Sequence, residues 1–186
     1  NGGNDQGGGG VFNIGGTLDI DNATISGNSA TANLGNGGGV MTVGGIVTID
    51  NSTISANDVA RAGGGIENNN GTVTLTDVSL GGMTPVDGNQ AGVNGGGLHV
   101  SGAGTTDING GGVRNNFAGQ EGGGLWNGTA TMTIDGTSIS ENIASGDGAD
   151  QGGGGVFNAG GIVNILNVAT ISGNVANGTS GSGGGI

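Results

Sequence analysis

Seven glycine triplets, each followed by an aliphatic residue, recur at a steady interval along this chain, and an eighth, before Val113, falls inside the fourth repeat. The aliphatic residues of the seven are Val11, Val40, Ile66, Leu98, Leu125, Val156 and Ile186, at intervals of 29, 26, 32, 27, 31 and 30 residues. A period of this length marks stacked repeats, in which one unit cannot bury an apolar face alone but neighbours bury it together. The chain has 51 glycines in 186 residues, a content that would read as low-complexity disorder if it were not periodic. The nonapeptide DQGGGGVFN at 5–13 returns at 150–158, so the sixth repeat begins as the first does.

Each repeat has three parts. The first is GGG-aliphatic-x-Asn or a close variant, as in GGGVFN, GGGIEN and GGGLWN. An alternating run follows: TLDID, IVTID, TVTLT, TTDIN, TMTID and IVNIL. Alternation with period two over this length predicts a half-buried strand. Its inward residues are Leu18/Ile20, Val47/Ile49, Val73/Leu75, Thr106/Ile108, Met132/Ile134 and Val163/Ile165. The third part is an aliphatic-x-x-Asn unit, as in ISGN, ISAN, VRNN and ISEN. In the third repeat an insertion at 83–87 with the only proline interrupts it, and the pattern resumes at Asn89. Helical periodicity is absent throughout. The expectation is an all-β, right-handed parallel β-helix (a β-solenoid) of about six coils with three short strands in each. The hand comes from the chirality of parallel crossovers. Residues 1–186 are expected to form one domain.

Stacking turns sequence positions into columns. Asn28, Asn57, Asn89, Asn116, Asn142 and Asn174 form one, and amides at rung spacing hydrogen-bond to each other along the axis. Asn13, Asn68, Asn127 and Asn158 form a shorter one. The glycines suit tight corners. They also leave bare backbone onto which another chain can pack. A third column follows each triplet aliphatic: Phe12, Met41, Glu67, His99, Trp126 and Phe157. Alternation points it outward, which makes Phe12, Met41, His99, Trp126 and Phe157 a candidate contact stripe for another solenoid or a sugar. Thr17, Thr72, Thr105 and Thr131 share an outward column, with Thr48, Thr74 and Thr133 in the next. A regular array of this kind would suit an ice lattice, but Ile46, Ile162, Asp19, Asp107 and Asn164 interrupt it.

The net charge of −12, with no lysine and only Arg61 and Arg114 as fixed cations, argues against nucleic-acid and anionic-lipid partners, which need a basic footprint. Cysteine is absent, which excludes disulfides and metal thiolates. No apolar run approaches the roughly 18 residues of a membrane span, so membrane insertion is not expected. The acidic glycine-rich turns offer Asp5, Asp147 and Asp150 as weak calcium candidates. No other cofactor is expected. The first repeat is preceded by residues like those that precede the sixth, and the chain stops on a fresh triplet without a polar cap. Open β edges invite pairing, so the chain reads either as a segment of a longer solenoid or as a subunit that stacks head to tail on itself into a filament.

GGG-[VIL] paired with aliphatic-x-x-Asn, as in GGGV (8–11) with ISGN (25–28) and its successors, resembles the GGA-[ILV] and F-x-x-N tandem motifs of polymorphic outer-membrane proteins and related adhesin-like β-helix repeats. The resemblance covers essentially the whole chain. It departs in having Gly for Ala in the triplet and Ile or Val for Phe before x-x-Asn. The resemblance implies a cell-surface or extracellular passenger, often adhesive. β-Helix folds also include polysaccharide lyases and glycosidases. A lyase of that kind needs a basic residue beside bound calcium, and only the two arginines are available. His99, the sole histidine, has no partner at a recognisable spacing. A hydrolase needs two carboxylates across a cleft, whereas Asp19, Asp21, Asp50 and Asp135 read as a solvated face. The expected role is therefore structural rather than enzymatic, with a glycan-binding adhesin as the alternative.

Overall fold

The computed structural model describes residues 6–186. Its strands lie in parallel register and stack in six coils. The second coil is representative: Val40–Val43, Ile46–Asp50, Thr53–Ser55 and Asp58–Val59 run in succession. Each strand pairs with its counterparts one coil before and one coil after, building four six-stranded parallel sheets. These are called the first to fourth sheets, in the order the chain visits them. The coil thus has four strands, where the sequence predicted three. The fourth, directly after the ladder asparagine, is two residues long in every coil, too short to show alternation.

Left-handed backbone connects the sheets. Between the second and third sheets, Asn22, Asn51, Asp77, Gly110, Gly136 and Asn167 all have φ between 42° and 68°. Only glycine, and to a lesser degree Asn and Asp, adopts this region without strain. The pattern of corner residues is the local reason the chain turns where it does.

The core is the stack of inward side chains. Val47, Ile49, Val73, Leu75, Met132 and Ile134 of the second sheet and Ile54, Leu80, Val113 and Ile139 of the third are essentially fully buried. Leu18, Ile20 and Val163, in the outer coils, are only partly covered. The insertion in the third repeat does not break the stack. It contains a 3-10 turn at Pro85–Asp87, the only helical element among the described residues. Met83 and Val86 project into solvent at 81% and 80% exposure. The Ala56 N–H donates to the Asp87 carbonyl at 2.8 Å, and Asn115 Nδ2 donates to the Gly82 carbonyl at 2.8 Å. Asn89 therefore re-enters its column fully buried.

Candidate functional site

Three features stand above the regular sheet: the asparagine column, the column after the triplets, and the acidic turns. The asparagine column is a continuous ladder. Asn57 Oδ1 accepts from both the backbone N–H and Nδ2 of Asn28, each at 3.0 Å. Its own N–H and Nδ2 donate to Asn89 Oδ1 at 3.2 and 2.9 Å, and Nδ2 also donates to the Ile25 carbonyl at 3.0 Å. The same set continues through Asn89, Asn116, Asn142 and Asn174. Every polar side-chain atom of the inner members is satisfied without water, which is what makes burial of an amide tolerable. The ladder is polar. Each rung accepts on its Oδ1 from the coil before and donates through its N–H and Nδ2 to the coil after.

The glycine triplets complete this site and do not form a bare outer face. A Cβ built on Gly39, Gly65, Gly97 or Gly124 would lie 2.6 Å from the carbonyl of the next coil's third glycine. It would also lie 3.0–3.1 Å from the amide of the ladder asparagine in its own coil. The third glycine is therefore absent side-chain volume that the amide fills, and the triplets of the inner coils are buried. Two motifs separated along the chain form one interior contact. The shorter asparagine column behaves differently. Only Asn127 and Asn158 bond side chain to side chain, at 3.0 Å, because Thr42 and Val100 stand in the register between the others.

The column after the triplets is in register as expected: Phe12, Met41, Glu67, His99, Trp126 and Phe157 face one another across the first sheet. It is not an exposed stripe. Met41 is fully buried and His99 is 9% exposed, while Phe12, in the first coil, is 44% exposed. The segment before each triplet forms a thin parallel ladder of its own, Gln6–Gly7 with Gly35–Asn36 and then single bridges through Ala62, Asn94 and Glu121. It lies against the column: a Cβ on Gly7 would be 2.9 Å from the Met41 sulfur.

Within this covered column lies a polar cluster that the sequence reading missed. His99 Nδ1 and Glu67 Oε2 are 2.7 Å apart, and the Ser101 hydroxyl donates to Glu67 Oε1 at 2.7 Å. The imidazole stacks on Trp126 with centroids 4.2 Å apart, and Trp126 stacks in turn toward Phe157 at 6.4 Å. Trp126 Nε1 donates to Glu121 Oε2 at 2.8 Å. His99 thus has a partner, and the signal that finds it is the column itself: Glu67 fills the same slot one coil earlier.

The acidic turn at 147–150 is tied to the following coil by hydrogen bonds. Thr179 donates both its N–H and its hydroxyl to Asp147 Oδ1, at 2.8 and 2.7 Å. The backbone bond first, and the hydroxyl second, hold the Asp147 carboxyl below its ordinary range. Among the described residues no group of three carboxylate or imidazole side chains could hold a metal ion. Asp150 lines a shallow cleft with Phe157 and Ile186, and Asp5 lies outside the described residues.

Fold and columns together define a parallel β-solenoid whose most elaborate interior feature is a coil-to-coil amide ladder. Comparison with protein-family models, curated proteins and solved structures yields no match for this chain.

Proposed function

We propose that this chain serves as a structural β-solenoid at the cell surface or outside the cell, and that its first and sixth coils stack head to tail on like coils to make a rod or filament. The observation that carries this reading is the polarity of the asparagine ladder. Each coil offers an amide oxygen toward one side and N–H donors toward the other, so a coil of the same kind extends the ladder in the same sense and register. The recurrence of DQGGGGVFN supports it, because the sixth coil opens with the residues of the first. A contact between unlike ends that does not close on itself generates a filament. The extracellular setting rests on the motif resemblance, and the adhesive alternative is weakened by the burial of Met41 and His99 within the stripe it would use.

Electron microscopy of the purified chain across concentration tests this reading. Fibres of uniform width are expected. Ile165 belongs to the inward row of the sixth coil but is 39% exposed there, so Ile165→Asp should abolish fibres while leaving the individual solenoid folded. Discrete particles at every concentration would overturn self-stacking.

A further inference from the structure

Asparagine followed by glycine is a reactive linkage, because glycine has no Cβ to keep its amide nitrogen away from the asparagine side chain. Six such linkages lie among the described residues, at Asn36, Asn70, Asn94, Asn109, Asn127 and Asn177. They share one dipeptide, so what separates them is the structure around each. In five of the six the glycine N–H is committed to a hydrogen bond. Gly37, Gly95, Gly110 and Gly128 donate to carbonyls of a neighbouring coil at 2.8–3.0 Å, and Gly71 donates to Asn68 Oδ1 at 2.9 Å. The glycines that follow Asp87, Asp135 and Asp147, where the same ring closure is open to a carboxyl, donate as well.

Gly178 is the exception: among the described residues its N–H donates to no protein acceptor. Asn177 is exposed and stands at the turn after Val175–Ala176, the last strand of the fourth sheet. Its Oδ1 accepts from the Ser145 hydroxyl at 2.7 Å, and its Nδ2 makes no bond to the described residues. Nucleophile and leaving group are thus adjacent and uncommitted, and the Ser145 hydroxyl stands where negative charge develops on the attacked carbonyl. We propose that Asn177 is a modification site at which the chain deamidates itself. The Gly178 nitrogen gives up its proton to solvent base and bonds to Asn177 Cγ. The Cγ–Nδ2 bond breaks, and Nδ2 takes a proton from solvent and leaves as ammonia. Water then opens the succinimide at either carbonyl, yielding aspartate or isoaspartate. Over both steps one amide and one water become one carboxylate and one ammonium ion. The isoaspartate form carries an extra methylene in its backbone. That insertion falls just before Ser182, whose N–H donates to the Gln151 carbonyl at 2.9 Å and whose carbonyl accepts from Gly153 at 3.0 Å. The modification therefore loosens the register of the final triplet on the one beneath it.

Peptide mapping by mass spectrometry after prolonged incubation in mildly alkaline buffer tests the proposal, with enzymatic methylation of isoaspartate as an independent readout. In the folded chain Asn177 should convert at least about tenfold faster than any of the other five, the factor expected where a ladder hydrogen bond must open before the glycine nitrogen can attack. In urea strong enough to unfold the chain, all six should convert at comparable rates. Asn177→Gln should remove the early isoaspartate signal, because the longer side chain must close a larger ring, and should melt as the parent does. Conversion at Asn177 no faster than at the other five in the folded chain would overturn the assignment. An undiminished preference for Asn177 in urea would do so too, since the selectivity would then come from local sequence and not from the coil.

Discussion

Two columns run the length of this rod in the same rung register and are filled in opposite ways. Inside the coil, the residue at 28, 57, 89, 116, 142 and 174 is always asparagine. On the first sheet, the slot after the triplet holds Phe, Met, Glu, His, Trp and Phe. The amide is a donor and an acceptor at once, so it is its own best partner at rung spacing, and any other residue leaves its two neighbours unmatched. The outer column is covered by the segment that precedes each triplet. Its members need only fill that covered space and satisfy the polar atoms they bring, which aromatic stacking does at Trp126 and a side-chain hydrogen bond does at Glu67 and His99. Self-complementary chemistry enforces identity, whereas packing under a cover enforces only fit.

Breaking the inner column should have the largest effect. Asn89→Leu removes the acceptor used by both the N–H and Nδ2 of Asn57, orphaning two buried donors at about 2 kcal/mol each, so urea unfolding should report a loss of roughly 4 kcal/mol. Adding Asn116→Leu should deepen the loss. The outer column should behave otherwise. Glu67→Leu alone removes the hydrogen-bond partner of both His99 and Ser101 and should cost about 3 kcal/mol. Glu67→Leu together with His99→Phe and Ser101→Ala should recover to within about 1 kcal/mol of the parent, because groups in one network couple. A triple variant no more stable than the single one would show that this column, too, depends on identity.

The glycine that faces the ladder sharpens the contrast. Gly97→Ala places a methyl 2.6 Å from the Gly124 carbonyl and 3.1 Å from Asn116 Nδ2, an overpacking expected to cost about 2 kcal/mol. Corners on the outside should respond with the opposite sign. Glu141 is exposed and holds φ at 57°. Glu141→Gly should stabilise the solenoid by about 0.5 kcal/mol, since relief of left-handed strain exceeds the extra chain entropy of glycine. Thermal melts distinguish the two substitutions directly. The smallest effect belongs to Asp147. Its carboxyl is held below the ordinary range by Thr179, so the contact contributes above the unfolded carboxylate value and is lost as pH falls through the lower folded value. Asp147→Asn should flatten that part of the stability–pH curve.

The repeat, the inward aliphatic rows and the asparagine ladder were legible in the sequence because each recurs once per coil and stacking like on like needs no other information. The fourth strand was not legible, since two residues cannot display a period. The partnership of the third glycine with the ladder amide was not legible either. The two lie well over half a coil apart along the chain and meet only when the coil closes. The Glu67–His99 pair illustrates the same limit. The column announced that the two residues share a slot, but only the covering segment decided that they are buried together and bonded rather than exposed and independent. Periodic sequence determines what stacks on what along the axis, where neighbours are one rung apart. Contacts across the coil and over its outer surface depend on where corners send the chain, and those were decided by the closed tertiary structure.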